Sequence, residues 1–144
     1  IKGYFDWDQA LACSKAQGKP IFVDFTGHGC ANCRKMEENV WVNPAVLKRL
    51  KEDYIVLSLY VDDKTELPES AWIKTPDGGV KKTIGAKNSY IQQTRFAANS
   101  QPQYIILDGN GDQVMDSRFF DLNIEGFIQY LDGGIKNLRI KNTQ

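Results

Sequence analysis

A chain of 144 residues, 42% hydrophobic and 25% charged, is long enough to bury a core and reads as one globular domain, 1–144. Eighteen basic residues balance eighteen acidic ones, which argues against a nucleic-acid or anionic-membrane binder and against an acidic tail seeking a cationic partner. No apolar run approaches the length of a bilayer span, so a soluble chain is expected, and three cysteines are too few for a disulfide scaffold. Starting at Ile1 without an initiating Met or a signal peptide, the sequence is expected to be a processed chain or a domain excised from a longer protein.

In chain order, Asp6 is placed to cap a helix over 7–17, whose positions Trp7, Ala10, Leu11 and Ser14 fall near helical spacing; Gly18 supplies the stop. The β-rich run Pro20-Ile21-Phe22-Val23-Asp24-Phe25 predicts a buried strand over 20–26. Thr26-Gly27-His28-Gly29 breaks it, and a helix begins at Cys30 and continues through Arg34-Lys35-Met36-Glu37-Glu38. Asn43-Pro44 punctuates that helix and opens another segment, 44–52. Tyr54 to Val61 is the clearest strand. Residues 62–87 look irregular, with Pro76-Asp77-Gly78-Gly79 as a turn between two short extended pieces, and a loop of that length is often functional. A helix over 90–98, strands over 103–107 and 113–117 joined at Asp108-Gly109-Asn110-Gly111, and a last helix over 124–131 complete the reading. Asn123 would cap that helix, and Gly133-Gly134 would stop it. The order α-β-α-β-α-β-β-α reads as two parallel-type crossover units, a hairpin and a helix. It packs most simply as a three-layer α/β fold, a central mixed sheet with helices on both faces and an insertion at about 62–87.

The chemistry lies in Cys30-Ala31-Asn32-Cys33, a C-x-x-C where strand gives way to helix. Unpaired N–H groups and the helix dipole at such a start favour a thiolate. A thiolate at Cys30 would attack disulfides, and Cys33 would resolve the mixed disulfide, with no cofactor beyond the Cys30–Cys33 pair itself. A structural pair or half a zinc site is the alternative, yet only Cys13 and His28 remain to complete four ligands, so no metal site is expected. Arg34 stands where haem attachment needs histidine, and an iron–sulfur cluster lacks its fourth cysteine.

Asp24 is an acid inside an apolar strand, costly to bury unless paired or protonated. Strand alternation sets it opposite Val23 and Phe25. Behind the helix start it could exchange a proton with Cys33; on an open face it would be a solvated residue or a cap. Glu37 falls on the helix face of Cys30 and Cys33, where an acid opposes thiolate formation; a solvated helix face is the other reading. The bond before Pro102 can be cis or trans, and Pro102 has no N–H. Beside the cysteines, Gln101-Pro102-Gln103 would leave backbone groups free for a substrate chain; a plain strand-start proline is the alternative. His28 and Gly29, just ahead of Cys30, join this candidate contact surface, with a solvated loop histidine as the bland reading. Cys13 is expected to be a small core hydrophobe, and Phe22, Phe25, Trp41, Ile105 and Leu107 to be core.

The V-D-F strand, the spacer ending in glycine, the C-x-x-C and the Gln-Pro before a hairpin resemble the thioredoxin superfamily across most of the chain. The resemblance implies a thioredoxin-like fold, with Asp24 as the family's buried acid and Pro102 as its cis-proline. More narrowly, Lys19 to Gly27 with Cys30 to Glu37, followed by Glu38-Asn39-Val40-Trp41 and Val61-Asp62-Asp63, looks like the C-terminal periplasmic domain of the DsbD thiol:disulfide interchange family. There Glu37 falls on a second acid near the active site. The chain departs from ordinary thioredoxins in Gly29 before Cys30, in Ala31-Asn32 between the cysteines, and in the length of 62–87. The resemblance implies a protein-disulfide reductase, periplasmic and monomeric, tethered to the inner membrane within its full-length protein. It would take electrons from a membrane-embedded donor domain and pass them to periplasmic disulfides, with Glu37 tuning Cys30 and 101–103 docking the partner. A disulfide isomerase or oxidase is one rival. A redox-inert binding module with structural or metal-bound cysteines is the other.

Overall fold

Side-chain caps set most of the helix starts. The structure, a computed structural model, describes residues 3–144. Asp6 accepts from the Gln9 N–H and opens α1 (Trp7–Gln17), which Gly18 ends at φ 68°. After β1 (Ile21–Thr26), α2 (Ala31–Met36) runs directly into a π-helical stretch, Glu37–Trp41. Asn43 caps α3 (Pro44–Glu52), with Pro44 in the first turn where its missing N–H does no harm. Then come β2 (Ile55–Tyr60), a short 3-10 turn at Glu69–Ala71, β3 (Ile73–Lys74) and β4 (Val80–Lys81). Thr83 caps α4 (Ile84–Phe96); β5 (Gln103–Leu107), β6 (Gln113–Arg118) and α5 (Ile124–Asn142), capped by Asn123, complete the chain.

The main sheet has the order β2-β1-β5-β6. β1 lies parallel to β2, from Ile21↔Ile55 to Thr26↔Tyr60, and antiparallel to β5, from Ile21↔Leu107 to Phe25↔Gln103. One face carries Phe22, Val56, Tyr104 and Ile106 under Met36, Val40, Leu50 and Phe127; the other carries Val23, Phe25, Leu57 and Ile105 against Ala10, Ile91 and Phe96. Helices thus cover both faces of a mixed sheet, a three-layer α/β architecture. Phe22 and Phe25 are fully buried on opposite faces, and burying such a side chain stabilises by about 1.5–3 kcal/mol.

Four sequence expectations change. The second crossover is not of parallel type, because α4 returns the chain to the end of the sheet it left. Asn88 donates to the Tyr60 carbonyl at the end of β2, whereas Gln92 reaches Gln103, which pairs with Phe25 near the end of β1. From there β5 can only run back against β1. α4 itself begins at Ile84 and not at 90, so the insertion ends at Thr83. Gly85 is helical and packed so closely that a Cβ would lie 2.7 Å from backbone atoms of Val61 and Asp63. The last helix does not stop at Gly133-Gly134 but runs to Asn142; a Cβ on Gly134 would lie 2.5 Å from Ile106 and Tyr54, so this glycine brings the helix close to the sheet. Cys13 is only half-buried at the core's edge, its sulfur 2.8 Å from the Tyr4 hydroxyl and accepting from Gln17 Nε2 at 3.0 Å. Within the insertion the turn at 76–79 does join two short extended pieces, β3 and β4, which form their own two-stranded sheet.

Candidate active site

Cys30 is the N-cap of α2, in extended conformation at φ −87°, ψ 105°. Its sulfur accepts from the Cys33 N–H at 3.1 Å, and its carbonyl accepts from the Arg34 N–H. The cap geometry thus puts a sulfur where an anion gains from free N–H groups and the helix dipole. Cys30 and Cys33 form a disulfide with Cα atoms 5.3 Å apart. The two sulfurs differ in access: Cys33 is 1% exposed, whereas Cys30 is only partly buried.

Beneath α2 lies Asp24, 3% exposed, on the same face of β1 as Phe22. Burial holds its carboxyl protonated far above the usual range, up to about 8; the nearby Glu37 charge adds to this and Arg34 opposes it. Glu37 opens the π-helical stretch and pairs with Arg34 Nη2 at 2.9 Å. The same guanidinium donates to Thr26 Oγ1, which ties the helix to the end of β1. A cleft of about 490 Å³ adjoins the two acids, walled by Trp41, Val42, Ser58 and Tyr60. Ser58 is the residue paired with Asp24 across β1 and β2, and its small side chain leaves this space open.

Against Cys30 stands the loop before β5. The Gln101–Pro102 peptide bond is cis, and the Gln101 carbonyl oxygen lies 3.6 Å from Cys30 Sγ. Three glutamines hold that loop from behind. Gln92 of α4 accepts from Gln101 Nε2 and donates to both Gln103 Oε1 and the Ser100 carbonyl, each at 2.9 Å. Gln103 is fully buried and its amide nitrogen donates inward, to Ser117 Oγ and the Phe96 carbonyl. The structure therefore brings Gln101 and Pro102 to the sulfur and places the Gln103 side chain behind them. His28 and Gly29 are exposed beside Cys30; the His28 ring stacks on Tyr60 at 4.1 Å, and both backbone N–H groups donate to Asp62.

Sequence reasoning missed Gln92 and Asp62. Gln92 sits where the sequence shows only a polar helix residue. Asp62 left one signal: an acid directly after a buried strand that lies parallel to the one leading to the cysteines.

A disulfide between an N-cap cysteine and a buried partner, a buried acid behind it and a cis-proline loop in front define a thioredoxin-like oxidoreductase fold. The sequence model of the thioredoxin-like domain family matches residues 7–118, and the chain belongs to that family. Among solved structures, a DsbH oxidoreductase superposes with a TM-score of 0.69 at 18% identity, over 94% of this chain and 86% of the other. The oxidised DsbD C-terminal domain of Neisseria meningitidis gives 0.62 at 13% identity, over 92% and 99%. A thioredoxin from Thermus thermophilus gives 0.55 at 20% identity, over 96% and 85%. No curated protein sequence matches the chain. Among the described residues no helix is long and apolar enough to cross a membrane.

Proposed function

We propose that the protein is a protein-disulfide reductase that passes electrons from a membrane-embedded donor domain to disulfide-bonded acceptor proteins of the periplasm. The observation that carries the reading is the unequal access of the two cysteines, Cys30 partly buried and Cys33 at 1% exposure, with Asp24 buried on the strand below. In the reduced protein the Cys30 thiolate attacks an acceptor disulfide, forming a Cys30–acceptor bond and expelling one acceptor sulfur as a thiolate. When Asp24 is ionised, the Cys33 thiol passes its proton to that carboxylate and attacks Cys30, forming the internal disulfide and releasing the second acceptor sulfur as a thiolate. Two electrons leave the cysteine pair, and the two acceptor thiolates take protons from solvent to become a dithiol. In the oxidised protein Asp24, pushed up to about 8, keeps that proton at neutral pH. A pKa near the working pH suits a group that must both take and return a proton.

The Gln101 carbonyl and Pro102 offer backbone to the incoming chain, and Phe119, Phe120 and Leu122, exposed past the end of β6, add apolar surface at the same end of the sheet. The reducing direction draws on two supports: the motif resemblance to DsbD C-terminal domains, and the acids Glu37 and, when ionised, Asp24, whose charges work against the thiolate. The disulfide is the redox group, and no further cofactor enters the steps.

The test is the Cys30–Cys33 reduction potential, measured in graded dithiothreitol buffers by counting alkylated thiols. A two-thiol transition near or below about −220 mV is expected for a donor. A value near −120 mV would replace the reductase with an oxidase or isomerase, and the absence of any two-thiol transition would reject the redox reading.

A further inference from the structure

The segment between β1 and the nucleophile is only Gly27-His28-Gly29, yet it sets where Cys30 lies. Three consecutive residues at the end of β2 hold it. The Tyr60 ring stacks on His28 at 4.1 Å and 15°, and the Val61 N–H donates to the Thr26 carbonyl at 2.9 Å. Asp62 then grips the backbone with both oxygens: Oδ1 accepts from the His28 N–H at 2.9 Å and Oδ2 from the Gly29 N–H at 3.0 Å. The carboxylate comes so near that a Cβ on Gly27 would lie 3.2 Å from Oδ2. The loop closes on itself through Cys30 N–H to the Gly27 carbonyl at 3.2 Å, which links the gripped peptides directly to the nucleophile.

We infer that Asp62 is a positioning residue for Cys30, its carboxylate fixing the loop that carries the nucleophile and its negative charge opposing the thiolate that the helix start favours. The inference rests on the dithiol–disulfide reading of the cysteine pair. The bonds from His28 and Gly29 hold the Asp62 carboxyl below its usual range, so it is an anion at any pH where the thiol reacts. His28 faces it from the loop, and Asp63 adjoins it on its own segment. Other titratable groups near the cysteines include Arg34, Lys35 and Glu37 on the helix side and Asp24 on β1. Asp62 is thus an anion attached to the peptides immediately before Cys30, while the helix dipole acts from the peptides after it.

Asp62→Asn keeps the shape, removes the charge and leaves one of the two acceptors; Asp62→Ala removes both. Asp63→Asn removes an equal charge one residue on, from a carboxylate bonded to the Thr65 N–H and not to the loop. Each reduced variant is titrated by its rate of iodoacetamide alkylation at Cys30 from pH 5 to 10, and its dithiothreitol equilibrium is measured beside the wild type. The expected result for Asp62→Asn is a lower pH midpoint, with alkylation below that midpoint roughly threefold faster, and an equilibrium shifted towards the reduced protein. Asp63→Asn should give a smaller shift. In Asp62→Ala the His28 and Gly29 amides should exchange with deuterium at least roughly tenfold faster than in the wild type. Unmoved alkylation midpoints in Asp62→Asn, an equal shift in Asp63→Asn, or unchanged amide exchange in Asp62→Ala would each overturn the inference. A wild type without a two-thiol transition removes the redox reading itself, and is read independently of the variants.

Discussion

Replacing Asp24 by asparagine should stabilise the oxidised protein, and more so as the pH rises. The carboxyl is 3% exposed and its pKa in the folded chain is pushed from 3.8 to about 8, first by burial and then by the Glu37 charge. Below pH 3.8 the group is protonated in both folded and unfolded chains and the full stability is present. Between pH 3.8 and 8 the unfolded chain releases the proton and the folded chain keeps it, so the unfolded state binds fewer protons and stability falls as pH rises. The loss is about 1.4 kcal/mol per pH unit, or about 4 kcal/mol by pH 7, and it levels off above pH 8. Asparagine of the same shape does not titrate, but its amide, buried without a fixed partner, costs about 1–3 kcal/mol. Asp24→Asn is therefore expected to be about 1–3 kcal/mol more stable at pH 7, less stable than the wild type near pH 4, and to cross it in between. Urea unfolding of the disulfide form at pH 4, 5, 6, 7, 8 and 9 measures this directly. Parallel stability curves for variant and wild type from pH 5 to 8 would refute the reasoning, because they would mean that Asp24 ionises freely in the folded chain.

Glu37→Gln removes one cause of the raised Asp24 pKa, so the pH range over which stability falls should end below pH 8 in the same urea series; an upper end still at 8 would reject the action of Glu37 on Asp24. Gly134→Ala should destabilise by about 1–3 kcal/mol in urea, since its Cβ would meet Ile106 and Tyr54 at 2.5 Å. Gly133→Ala, facing only the mobile end of Met115, should be neutral or slightly stabilising through the better helix propensity of alanine. Asn88→Ala should cost about 1 kcal/mol by leaving the Tyr60 carbonyl without its donor, and should leave the reduction potential unchanged.

Local signals in the sequence were reliable where the physics is local. Asp6, Asn43 and Asn123 cap their helices as their side chains dictate, Gly18 ends α1 in the left-handed region, and the alternation Phe22-Val23-Asp24-Phe25 sorts onto the two faces of β1. The misplaced elements turn on contacts made across the fold. Gly134 reads as a breaker because a glycine that permits close packing looks the same, in sequence, as one that permits a turn. The direction of β5 depends on where α4 delivers the chain, which the helix pattern does not encode. At the candidate site, the cysteine spacing and the lone acid at position 24 were legible because their chemistry is unusual for their elements. Asp62 and Gln92 act through bonds to residues 33–34 and 8–11 positions away; nothing near Gln92 marks it out, and Asp62 shows only its place directly after a buried strand.

The burial of Cys33 has a consequence for traffic through the protein. Cys33, a residue 1% exposed, is closed to a second polypeptide, so under the proposed function loading and unloading would both pass through a covalent bond to the same Cys30 sulfur. Donor and acceptor would consequently compete for a single docking face and could not occupy it together. Under the proposed function, turnover would follow alternating, substituted-enzyme kinetics, and an excess of either partner would slow the other by blocking its landing place.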